Sequence, residues 1–154
     1  MTGKTETWLD RSMMQRCLRL ALRAGEAGNT PVGSILAIGD ALIVEQEEEV
    51  PKGTDIFGHA ELVAVRRGCR RLKRKHLPEA TLYTTAEPCL MCSFGIREAR
   101  IGRVVMGLPT PEIGGVSSSY PILTVHEIGR WGSPPIVIWS ELADEIERQL
   151  YPGD

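Results

Sequence analysis

Apolar residues return every three to four positions between Asp10 and Ala27, at Met13, Met14, Cys17, Leu18, Ala21 and Leu22. That is the period of a helix with one buried face, and Gly28 is its stop signal. Pro31 to Ile38 and Leu42 to Glu45 are short runs rich in Val, Ile and Leu, parted by Gly39-Asp40, so a β-hairpin is expected there. Gln46 to Phe57 is polar and broken by Pro51 and Gly53, and reads as a loop. The helical period resumes from His59 to Leu72 through Leu62, Val63, Val65 and Cys69. Thr81 to Thr85 then reads as a strand and Cys89 to Arg100 as a helix opened by Pro88. Arg103 to Leu108 and Pro135 to Trp139 are further strands, and Glu141 to Leu150 is a closing helix with Ser140 as its expected cap. The intervening Pro109 to Pro134 is long and rich in Gly, Pro and Ser, the profile of a functional or mobile loop.

This alternation predicts an α/β fold in three α/β/α layers, with a five-stranded mixed sheet flanked by helices. A chain of 154 residues, 42% hydrophobic and 25% charged, can bury an ordinary core as one domain over residues 1–154 without disulfides. In such sheets sites form where strand ends meet helix starts. No apolar run approaches the roughly 18–20 residues of a membrane span. Met1 to Leu9 shows no basic-then-apolar layout, so a cytoplasmic location is expected.

Chemistry concentrates at two of the predicted helix starts. His59-Ala60-Glu61 is followed about thirty residues later by Pro88-Cys89-Leu90-Met91-Cys92. One imidazole and two thiolates are ligands of the kind Zn²⁺ takes. Three protein ligands leave a fourth position for water, the arrangement of a catalytic zinc. Metal: His59, Cys89 and Cys92; one Zn²⁺ per chain is expected. Glu61 sits where a carboxylate can handle the protons of that water, although alone it would read as a first-turn acid favoured by the helix dipole. The order H-x-E then P-C-x-x-C is the signature of zinc-dependent nucleobase deaminases. Cys17 and Cys69, left over on helical apolar patterns, read as buried free thiols, and His76 and His126 as structural histidines.

The chain resembles the cytidine and deoxycytidylate deaminase superfamily, in the branch of tRNA adenosine deaminase, guanine deaminase and fungal cytosine deaminase. The resemblance rests on Thr30-Pro31-Val32-Gly33, His59-Ala60-Glu61-Leu62, Thr81-Leu82-Tyr83-Thr84-Thr85, Glu87-Pro88-Cys89-Leu90-Met91-Cys92 and Ile101-Gly102-Arg103-Val104-Val105. It implies zinc on His59, Cys89 and Cys92, Glu61 as proton shuttle, and a homodimer. It also implies that the backbone around Ala60 and the carbonyl of Glu87 face the amino group of the base. Trp139, Tyr151 and Asp154 stand where relatives fold a tail over it.

The resemblance breaks at one position. Relatives carry an asparagine eleven residues before the zinc histidine, and Glu48 stands there. An ionised carboxylate only accepts hydrogen bonds, so Glu48 as a substrate contact favours a base with neighbouring N–H donors, as guanine has. The net charge of −2, and a last helix with Glu141, Asp144, Glu145 and Glu147 against Arg148, point away from a polyanion partner. The sequence reading is therefore a hydrolytic deaminase of a free nucleobase, nucleoside or related small-molecule amino-heterocycle. The alternative is a tRNA adenosine deaminase, and a non-catalytic zinc-stabilised binding module is the third reading. The basic cluster Arg66-Arg67, Arg70-Arg71 and Lys73-Arg74-Lys75 reads as a solvated helix face.

Overall fold

The structure is a computed structural model that describes residues 4–49 and 54–153. Its elements are α1 (Trp8–Glu26), β1 (Gly33–Ile38), β2 (Ala41–Glu47), α2 (Ala60–Leu72), β3 (Ala80–Ala86), α3 (Leu90–Glu98), β4 (Arg103–Leu108), a 3₁₀ turn (Gly129–Trp131), β5 (Ile136–Trp139) and α4 (Ala143–Leu150). The sheet has the order β2-β1-β3-β4-β5. β1 is antiparallel to β2 and β3, whereas β3, β4 and β5 run parallel, so the sheet is mixed as expected.

Successive strand residues point to opposite faces, and both faces here are buried. Leu36, Leu82 and Val104 join Ala64 and Val65 of α2 and Ile96 of α3 in one cluster. Their neighbours Ile35, Tyr83 and Val105 join Met14, Cys17 and Leu18 of α1 and Ile146 of α4 in the other. Two helices thus cover each face, which makes the three layers. Cys17 is fully buried, but Cys69 is half-buried with its thiol directed at the Lys75 carbonyl.

One buried ion pair locks α1 to the sheet. Thr7 caps α1 by accepting from the Asp10 N–H, and Asp10 Oδ2 accepts in return from the Thr7 N–H at 2.8 Å, a capping box. Asp10 also accepts from Tyr83 Oη at 2.8 Å and from both Arg103 nitrogens at 2.7 and 2.5 Å. Burial raises the Asp10 pKa, but the Arg103, Thr7 and Tyr83 hydrogen bonds outweigh it and hold the carboxyl at about 2. A carboxyl depressed in the folded state stabilises it fully above its unfolded value and less as pH falls through the folded one. We predict that the stability gap between wild type and Asp10→Asn shrinks by about 2 kcal/mol as pH falls from 5 to 2. Urea unfolding at each pH measures it, and a gap independent of pH contradicts the assignment.

Ser140 is not the N-cap of α4. The helix begins at Ala143 behind Leu142, and no side chain caps it. The Ser140 hydroxyl accepts from the Leu142 N–H and donates to Glu6 Oε1, so it ties the chain near the N-terminus to the turn before α4.

The 109–134 segment is largely pinned. Arg97, buried in α3, donates to the carbonyls of Ile122, Val125 and Gly132, and Leu123 lies in the core. Trp131 packs beneath the Arg97 guanidinium and donates from Nε1 to Glu98.

Candidate active site

Helix starts usually carry Ser, Thr, Asp or Asn, whose side chains turn back onto the first turn's N–H groups. α2 and α3 begin instead with His59 and Cys89 in extended conformation, and neither side chain makes a capping bond. Both are thereby left to point at each other. Cys92, three residues on, lies in the first turn of α3. His59 Nδ1 is 3.5 Å from Cys89 Sγ and 3.5 Å from Cys92 Sγ. Tetrahedral zinc bonded to nitrogen and sulfur at its usual lengths sets those atoms about 3.5 Å apart. All three donor atoms lie within 4.8 Å of one another, so the set fits zinc.

The thiols share a proton unequally. The hydrogen bond from Cys92, with further help from His59, holds the Cys89 thiol down to about 5, whereas that same bond and burial push Cys92 up. Zinc binding takes both sulfurs as thiolates and releases the proton between them. The N-termini of two helices favour those charges.

Glu61 is buried in the first turn of α2, 4% exposed. Thr84 Oγ1, from β3, donates to its Oε1 at 3.1 Å. Burial, and then the negative charge of Glu48, raise the Glu61 pKa to about 7. A carboxyl with such a pKa can both hold and release a proton near neutrality. Thr84 belongs to a segment quoted for the resemblance, but its role was not read from the sequence. Its only signal is strand alternation, and that does not say which residue of another helix it meets.

The site opens into a cavity of about 690 Å³, within the range of ligand pockets. Glu48, His59, Glu61, Glu87 and Cys89 line its polar side; Pro31, Val32, Leu108, Pro109 and Ile113 line its apolar side. Glu48 is buried and lines the cavity beside His59 and Glu61. Its Oε1 accepts from the Ala60 N–H, so that backbone group is turned onto Glu48. Glu48 Oε2 has no protein partner among the described residues.

Glu87 does more than offer a carbonyl. Its carboxylate accepts from Thr110 N at 2.8 Å, Val116 N at 2.8 Å, Ser117 N at 2.7 Å and Ser117 Oγ at 2.5 Å. Burial raises its pKa, and those bonds overcome it and hold the group below the ordinary range. Gly114 is needed beside it, because a Cβ there would overlap the carboxylate. The Glu87 carbonyl accepts from Thr110 Oγ1 at 3.1 Å. Glu87 therefore holds the 110–117 loop, part of which walls the cavity. Of the C-terminal residues, Tyr151 lines the cavity with Asp144, Glu147 and Leu150; Trp139 does not, and Asp154 lies outside the described residues.

A zinc-fitting triad of one imidazole and two thiols, with a neighbouring carboxyl at the helix starts of a mixed sheet, defines a zinc hydrolase of the nucleobase-deaminase kind. Residues 7–108 match the family described as the cytidine and deoxycytidylate deaminase zinc-binding region, and the chain belongs to that family. It is a hydrolase acting on carbon–nitrogen bonds of cyclic amidines, with zinc as its cofactor.

Over 136 residues the chain is 37% identical to a tRNA-specific adenosine deaminase of Aquifex aeolicus (strain VF5), across 86% of this chain and 90% of the relative. A structure from studies of A-to-I editing by tRNA:A34 deaminases at the wobble position of transfer RNA superposes with a TM-score of 0.80. Its identity is 30%, over 90% of this chain and 98% of the other. A guanine deaminase from Bacillus subtilis superposes at 0.61 and 32% identity, over 64% of each chain.

These comparisons overturn the expectation of a free amino-heterocycle with a guanine-like edge. Relatives at 30% identity or more that are matched over at least two thirds of their own length are tRNA adenosine deaminases, whereas the Bacillus subtilis guanine deaminase matches 64% of each chain. Two sequence arguments misled. A net charge averages over the whole surface and hides a local basic field. Glu48 spends one oxygen on the Ala60 N–H, which leaves a single acceptor rather than a pair to read neighbouring N–H donors. No helix among the described residues is long and apolar enough to cross a membrane.

Proposed function

We propose that this chain deaminates adenosine to inosine in tRNA. The likeness to tRNA-specific adenosine deaminases over nearly the whole of both chains carries the reading, and the site geometry is compatible with it. An anticodon-loop base can be splayed out of its stack and inserted into a pocket. Pro31, Val32, Leu108 and Ile113 offer apolar walls for the ring.

Zinc held by His59, Cys89 and Cys92 supplies the Lewis acid that makes water nucleophilic near neutral pH. Glu61 takes one proton from the attacking water and delivers it to the ring nitrogen beside the amino-bearing carbon, then takes the second from the hydroxyl so added and passes it to the departing amine. Water thus adds across the ring carbon–nitrogen double bond, and cleavage of the exocyclic carbon–nitrogen bond then releases ammonia and leaves a carbonyl. Thr84 holds one oxygen of Glu61 and so fixes the direction of transfer. The second oxygen of Glu48 is an acceptor for an amino or hydroxyl hydrogen of the nucleotide, and the Glu87 carbonyl borders the amino group. Glu87 also keeps the loop wall in place. A tRNA substrate assigns the enzyme to the cytoplasm, and the assembly is a homodimer of 17.0 kDa chains.

Ammonia release tests the substrate class. Guanine, cytosine, adenine and their nucleosides are compared with an anticodon stem-loop that carries an adenosine in its loop. The RNA is expected to react at least a hundredfold faster in kcat/KM. Equal or faster release from a free base contradicts the reading.

A further inference from the structure

The two helices that present zinc ligands at their N-terminal ends enclose a second groove between their C-terminal halves. This groove of about 660 Å³ has a floor of Val65, Gly95 and Ala99 and a rim that includes Arg70, Lys73 and Lys75. We infer that it is a docking surface for the sugar-phosphate backbone of the RNA whose adenosine enters the zinc cavity. The inference rests on the function proposed above.

Charge is the first argument. Arg66, Arg67, Arg70, Arg71, Lys73, Arg74 and Lys75 are seven of the chain's 18 basic residues, and residues 66–75 contain no acid. Cations in a last helical turn offset the helix dipole, which accounts for Arg70 and Arg71. It does not account for Lys73, Arg74 and Lys75 beyond the helix end. There Lys73 adopts a left-handed conformation, φ 54°, at the position where glycine is usual, and the chain turns around the groove mouth.

Partner accounting is the second. Arg67 donates to the Glu45 carbonyl and Gln46 Oε1, Arg71 to the Ile43 carbonyl, and Arg74 pairs with Glu79. These three are used within the fold. Arg70, Lys73 and Lys75 are exposed and form no ion pair with any described residue. Glu98, the one acid in the groove, is taken by Arg130 and the Trp131 indole. The field in the groove is therefore positive and uncompensated, as phosphate binding requires.

Reach is the third. The 13 residues of α2 put about 20 Å between the zinc ligands and the basic rim at the far end of the groove. At about 3.4 Å per stacked nucleotide, that is roughly six steps along one strand. A free nucleoside cannot touch both places; a stem-loop can. The groove thus adds binding energy available only to RNA.

The test uses the full chain and a triple variant, Arg70→Ala/Lys73→Ala/Lys75→Ala, with Lys73→Glu as a second variant and Lys73→Arg as the charge-preserving control. The probe is an anticodon stem-loop, with Kd measured across a salt series and inosine formation in parallel. We expect the triple variant to bind at least tenfold more weakly and to lose about two from the steepness of log Kd against log salt, near 0.7–0.9 per phosphate contact. Lys73→Glu weakens binding in the same direction, Lys73→Arg restores it, and kcat at saturating RNA stays within twofold.

Unchanged Kd and salt slope in both variants, with wild type forming inosine, overturn the docking surface and leave the proposed function standing. Wild type that neither binds nor deaminates the RNA overturns both. A variant whose mass by light scattering differs from wild type makes the groove a subunit contact and also overturns the inference.

Discussion

Glu61→Gln is expected to bind zinc and fold as wild type while turnover falls by at least about 10²–10⁴-fold. Glutamine matches glutamate in size and can still meet the Thr84 hydroxyl, but it cannot accept and return a proton. The burial that lifts the Glu61 pKa to about 7 serves that exchange, since a carboxyl of ordinary acidity would hold the proton too weakly at neutral pH. Single-turnover inosine formation beside zinc content separates chemistry from metal loss. A variant with full zinc and near-normal rate would move the proton shuttle to another group, and Glu48, whose charge acts on Glu61 in the same cavity, is the carboxyl to suspect.

Cys89→Ala should lose most of its zinc on dialysis and all detectable turnover. Wild type should carry one zinc per chain. The triad has three ligands and no spare: among the described residues, His59, Cys89 and Cys92 are the one cluster whose donor atoms converge closely enough to hold an ion. Removal of one thiolate leaves two protein ligands, a set that falls short of the three or four of stable zinc sites. The apolar floor under α2 and α3 does not depend on that sulfur, so the fold should persist with a lower melting temperature. Metal analysis and circular dichroism measure the two effects independently. Full zinc loading in the variant contradicts the ligand assignment.

Most elements were legible because each strand between the helical layers carries its apolar residues in a clear pattern. β4 spans Arg103–Leu108 as read, and α1, α2 and α3 differ from the reading only at their ends. Helix ends escaped where long-range partners decide them, as at Ser140, whose hydroxyl is shared with Glu6. The 109–134 segment read as functional or mobile because its anchors, Glu87 and Arg97, lie far away in sequence. No local pattern announces that one carboxylate will collect three backbone N–H groups from a loop more than twenty residues on. The metal ligands were legible because their spacing and residue types are themselves the chemistry. The substrate was not, because a net charge of −2 and a single departure at Glu48 say little about where basic side chains gather in three dimensions.

The most direct measurement of the central claim is inosine in tRNA. Unmodified transcripts of tRNAs with adenosine at the wobble position are incubated with wild type or Glu61→Gln, then digested to nucleosides and quantified by mass spectrometry. The account predicts close to one inosine per tRNA with wild type, almost none with Glu61→Gln, and loss of the signal when the wobble adenosine is replaced by guanosine. Transcripts that keep their adenosine under wild-type enzyme, while the same preparation releases ammonia from a free base, would contradict it.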